Sequence, residues 1–141
     1  MKPLYTSMML GTLLGLSGMT SHAESRAKDA KTETVVDTLL KRKLEVAPGT
    51  DVIIDRVSLP PNTTLSRRWH PGEMFVYIMK GSVVVSPDGK GEIVGNQGDV
   101  IDVPFKQVYA ARTSDDGAQL LLVRVHEAGQ PIRVKVESEN P

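Results

Sequence analysis

The feature that most narrows the fold is the rhythm of the chain after Val46, where short β-branched runs are cut by strong turn residues. Val52-Ile53-Ile54 and Val57 form one run, stopped by Pro60-Pro61. Phe75 to Met79 forms another, and Gly81 separates it from Ser82 to Ser86. Pro87-Asp88-Gly89 is a turn signal, Ile93-Val94 leads into Gly95-Asn96, and Val100 to Val103 ends at Pro104. Val108 to Arg112 follows, Ser114-Asp115-Asp116-Gly117 turns the chain into Leu120 to Val125, and Ile132 to Val136 is the last candidate strand. About seven or eight short strands at this spacing predict an all-β sandwich or barrel.

The segments before the barrel read differently. Lys2, the apolar stretch Met8 to Met19 and Ser21-His22-Ala23 before Glu24 have the layout of a secretory signal peptide, 1–23, cleaved after Ala23. The apolar stretch is too short and too interrupted to make a good membrane span. Cleavage predicts a periplasmic or secreted protein with no membrane attachment, whose remaining histidines are His70 and His126. Residues 24–44 form an N-terminal lead. Its apolar positions Val35, Val36, Leu39, Leu40 and Leu44 suit a short amphipathic helix, with a swapped strand as the alternative. The barrel is expected over 45–136 and a polar tail over 137–141.

Composition removes several functions. The formal net charge is zero and aromatics are 4% of the chain, so neither a basic field nor a stacking platform points to nucleic acid. No cysteine is present, which excludes a lipid-anchored leader, a thiol nucleophile and a disulfide staple. Core burial alone must therefore hold the fold. No G-x-S-x-G elbow or glycine-rich phosphate loop occurs.

Two segments carry more information. The first is Arg67-Arg68-Trp69-His70-Pro71-Gly72-Glu73-Met74-Phe75-Val76-Tyr77-Ile78-Met79-Lys80-Gly81, and the second runs from Gly98-Asp99-Val100-Ile101-Asp102-Val103-Pro104 to Tyr109. In this order they resemble the two motifs of the cupin superfamily: H-x-H, a Glu and a hydrophobic strand ending in Gly, then G-x5-P with a later His. The resemblance covers roughly Asp51 to Gln130 and implies a single-domain, RmlC-like jelly-roll barrel, typically paired as a homodimer. It also implies a metal site of three His and one Glu, which is degenerate here. His70 falls on the second His of the first motif, Arg68 on the first, and Tyr109 on the last. Glu73 stands where many small members carry their Glu; others place it one residue later, at Met74.

Residues two apart on a strand share a face, so Arg68, His70 and Met74 would point together if the strand ran straight. A bend at Pro71-Gly72 would instead turn Glu73 inward. His70 and Glu73 form the candidate divalent-metal pair, for zinc, manganese, iron or nickel. The plain alternative is that they bond each other or Arg68. An inward guanidinium repels a metal and needs an anionic partner, the alternative being that Arg68 swings to solvent beside Arg67; no cofactor is the leading expectation. The ligand-binding set is Arg68, His70, Glu73 and Tyr109, around a small polar or anionic molecule. Two other readings stay open: a cupin enzyme of the dioxygenase, isomerase, decarboxylase or lyase type, and a non-catalytic dimeric interaction module. Trp69 is expected on the opposite face, Met74, Phe75 and Met79 in the core, and His126 at a strand-end surface or subunit contact.

Overall fold

The structure is a computed structural model that describes residues 33–137. The expected signal segment, the first part of the lead and the end of the tail lie outside the described residues. Eight strands are present and no helix occurs among the described residues: β1 Val35–Lys43, β2 Thr50–Leu59, β3 Thr64–Trp69, β4 Gly72–Pro87, β5 Ile93–Asn96, β6 Val100–Val103, β7 Tyr109–Glu127 and β8 Val134–Lys135. The expected all-β class is what the chain forms.

The architecture rests on two long strands that were expected as four. β4 runs unbroken through Gly81, and β7 runs unbroken through Ser114 to Gly117. Both bend rather than stop. Gly81 and Gly117 have φ of +76° and +68°, a region that favours glycine. A Cβ on Gly81 would collide with the Gly117 carbonyl, so the two bends nest against each other. The β4–β7 ladder shifts register just there, between Ile78 and Lys80 and between Gly81 and Val83.

Each long strand thus serves two layers. The C-terminal half of β7 pairs with β2 and with the first half of β4, while β1 and β6 extend that layer at its edges. The N-terminal half of β7 pairs with β3 and with the second half of β4, while β8 and β5 extend the other. The core lies between the layers, where Val57, Met74, Val76, Ile78, Val83, Ile101, Leu120 and Leu122 are all buried.

Several local expectations need correction. Val35–Lys43 is a strand, not a helix. All nine of its residues are exposed, so a helix there would have had no surface on which to bury its apolar stripe, whereas the open edge of β2 offers backbone partners. It pairs within its own chain. Phe75 and Met79 are not core. Alternation along β4 sends Met74, Val76 and Ile78 inward and leaves Phe75, Tyr77 and Met79 on the outer face. The turn expected at Gly95-Asn96 falls at Gln97-Gly98. Gly95 lies inside β5, where a Cβ would press on Ile101.

Candidate functional site

The site is built where β3 leaves the sheet. One extra residue lies between the pairs Leu65↔Ala111 and Arg68↔Tyr109, a bulge that lets both Leu65 and Arg68 face the interior. Ser66, inside the bulge, fixes the arginine: Arg68 Nε donates to the Ser66 carbonyl at 2.7 Å and a terminal nitrogen donates to Ser66 Oγ at 3.1 Å. Arg68 is buried, and no carboxylate among the described residues forms an ion pair with it. Burial pushes its pKa down, Tyr109 opposes that, and Arg133 adds to it.

His70 and Tyr109 form the centre. His70 Nδ1–H donates to the Ile132 carbonyl at 2.6 Å, since a carbonyl can only accept. The neutral ring then presents a bare Nε2, which accepts the Tyr109 hydroxyl proton at 2.8 Å. The two rings lie 5.8 Å apart and near parallel. Burial lowers the His70 pKa to about 4; the Ile132 bond opposes this, and Arg124, Arg68 and His126 reinforce it. Burial raises the Tyr109 pKa, against the pull of Arg68, Arg124 and Arg133, so the phenol keeps its proton.

Glu73 does not join them. Positions 68, 70, 72 and 74 keep one parity across Pro71-Gly72, so Met74 is buried and Glu73 is exposed on the outer face. The bend fails to flip the register because Gly72 is held against Val125 and His126, leaving no room even for a Cβ. Glu73 instead borders a shallow surface cleft with Phe105 and Glu127. Trp69 points away from the site, half-buried and paired with Val134 of β8.

Three further residues belong to this end of the barrel, and the sequence reading did not place them there. His126 is buried rather than at a surface, and its Nε2–H donates to the Pro131 carbonyl at 3.0 Å. Arg124 and Asp55 form a buried ion pair, and Thr38 of β1 donates to Asp55 at 2.6 Å. The signal was parity: Leu120, Leu122, Arg124 and His126 alternate on one face of β7. The two histidines bond adjacent carbonyls, so they pin the segment at Pro131-Ile132 across this end of the barrel.

Fold and site together define a barrel with a polar mouth above an apolar interior. Residues 55–125, half of the chain, match the family described as Cupin domain, and the chain belongs to that family. No curated protein matches it. Among solved structures it is similar to a cupin superfamily protein from Desulfitobacterium hafniense, at 18% identity over 68% of this chain and 80% of that one, with a TM-score of 0.58. A cupin-like protein from Thermotoga maritima is 17% identical over 76% and 78%, with a TM-score of 0.60. The DMSP lyase DddQ from Ruegeria pomeroyi is 19% identical over 77% of this chain and 54% of that one, with a TM-score of 0.63. At these identities the likeness shows the fold alone.

Cupins often bind a divalent metal, and the residues here do not fit one. The motif positions carry a guanidinium, one imidazole, a thioether and a phenol whose burial disfavours ionisation. The only bare nitrogen of His70 is taken by Tyr109. Among the described residues no group of three His, Cys, Asp or Glu could hold an ion. A stable site generally needs three or four such donors.

Proposed function

We propose that this chain is an exported cupin that binds a small polar or anionic molecule in its barrel mouth, with the Arg68 cation standing in place of a metal. The observation that carries the reading is a buried guanidinium, beside Tyr109 and His70, with no carboxylate ion-paired to it among the described residues. An anionic ligand would supply the partner that a buried charge requires. Arg68, Tyr109 and His70 are the ligand-binding residues on this reading; Glu73 lies outside it. The test is a thermal-shift screen of small organic acids. A ligand at about a hundred times its dissociation constant adds about 2.7 kcal/mol of apparent stability. The expected outcome is a clear rise in Tm for wild type and none for Arg68→Gln. Equal shifts in both proteins would rule out the role given to Arg68.

A metal-free enzyme is the second reading, favoured by the hydrogen bond from Tyr109 to His70, a path for a proton. Binding ranks first because a histidine with its pKa lowered to about 4 is a weak base near neutrality.

The chain is further proposed to form a homodimer. Phe75, Tyr77, Met79 and Val100 expose apolar side chains on the outer face of β4 and β6, with Tyr77 and Val100 directly paired. Apolar clusters of this kind mark association surfaces. Light scattering should give twice the chain mass for wild type and the monomer mass for Tyr77→Asp; a monomeric wild type rejects the dimer.

A further inference from the structure

The polar mouth of the barrel is covered: Arg68, His70, Tyr109, Arg124 and His126 are all buried. Part of the cover is a strap from Ala128 to Val136 that follows β7 and includes β8. None of its residues is buried, so core packing does not hold it. Polar contacts do. His70 and His126 bond its Ile132 and Pro131 carbonyls, and the Ala128 N–H donates to the Gly49 carbonyl at 2.9 Å. The Val136 N–H donates to the Arg67 carbonyl at 3.0 Å, and β8 pairs with Arg68 and Trp69. A segment held this way, with little buried apolar surface, opens at low free-energy cost.

The ladder also carries a charge conflict. Lys135 lies directly opposite Arg68. Arg67 and Val136 form the hydrogen-bonded pair beside them, so Arg68 and Lys135 are a non-hydrogen-bonded pair, the kind whose side chains stand closest. Like charges placed so weaken a ladder. Neither cation forms an ion pair among the described residues.

We propose that the strap is a hinged cover: it lifts off β3 about the turn at Ala128-Gly129 while the barrel stays folded, and this opening is the route by which a ligand reaches Arg68, His70 and Tyr109. The route rests on the anion-binding reading; the opening does not.

The test therefore needs no ligand. The wild-type chain, Lys135→Gln and Lys135→Glu are compared by amide hydrogen exchange and by carbethoxylation of His70 and His126 with diethyl pyrocarbonate, both read by peptide mass spectrometry. In wild type the Val136 amide should exchange at least about tenfold faster than the ladder amides of β2 and β7. Lys135→Gln should slow it and Lys135→Glu should slow it further, by about fivefold in all, as an opposite charge replaces a like one. Modification of both histidines should fall by the same factor, with the β2 and β7 amides unchanged. The series should collapse at about 1 M salt, where the screening length is about 3 Å. A Val136 amide as slow as the core, histidine modification that follows the core instead of the strap, or rates indifferent to the charge at position 135 would overturn the cover and leave the anion reading to its thermal-shift screen. A strap that opens as expected in a chain that no acid stabilises would keep the hinge and remove the ligand route.

Discussion

Replacing Asp55 with leucine is expected to destabilise the protein by about 3–5 kcal/mol, the usual cost of removing one partner from a buried ion pair. Asp55 and Arg124 project inward from adjacent strands and both are almost fully buried. Arg124 Nε is already buried without a hydrogen-bond partner among the described residues, so the guanidinium is under-satisfied even with Asp55 in place. Asp55→Leu would leave a guanidinium beside the Leu122 level of the core with its main counter-charge gone. The double variant Asp55→Leu/Arg124→Met should behave differently, since exchanging a whole buried pair for apolar side chains is often neutral or stabilising by about 1–4 kcal/mol. Urea unfolding of the two single variants and the double variant measures this directly. A cost below about 1 kcal/mol for the single variant, or a double variant as unstable as the two singles combined, would show that the pair is more hydrated than its burial indicates.

The second large effect is a loss of stability as pH falls, centred on His70. Its pKa is about 4 in the folded protein, against about 6.5 for an ordinary histidine. Between those values the unfolded chain takes up a proton that the folded chain refuses. Stability is therefore lost as pH drops through this window, and the loss levels off below the folded pKa. From about pH 7.5 to about pH 4.5 the contribution is about 2.5 kcal/mol. The cause is structural: the ring is buried, Nδ1–H is committed to Ile132 and Nε2 to the Tyr109 proton, and Arg124, Arg68 and His126 stand nearby. His70→Gln keeps a donor and an acceptor and removes the titration. Subtracting its pH profile from that of wild type cancels the carboxylates and should leave the histidine term. Parallel profiles would mean that His70 protonates freely in the folded state.

Much of this was legible before any coordinates. Two ordered motifs and a run of turn residues were enough for the all-β barrel, because strand rhythm and turn chemistry are local. The motifs also brought Arg68, His70 and Tyr109 to the same end of the barrel, while leaving open whether Arg68 turns inward or to solvent; the bulge in β3 that buries it is not legible in the sequence. What the sequence hid were non-local facts. Gly81 and Gly117 read as strand breaks, yet each bends a strand that continues, since the partner supplying the ladder lies dozens of residues away. The stretch Val35–Lys43 carries a helical spacing that only the free edge of β2 overrides. Glu73 was ambiguous because the outcome at Pro71-Gly72 depends on how closely β7 approaches Gly72. His126, Arg124 and Asp55 could have been read as inward by extending the parity of their strands, but charged side chains on an apolar strand look like its end until the opposite strand is known.

The most direct test is the metal content of the wild-type chain after equilibration with manganese, iron, nickel and zinc ions and removal of the excess, read by plasma mass spectrometry. With a fixed cation at Arg68 and the free nitrogen of His70 bound to a phenol, no ion should remain in stoichiometric amount. One ion per chain, lost on His70→Ala, would mean that the imidazole coordinates a metal after all and that the guanidinium has not taken its place.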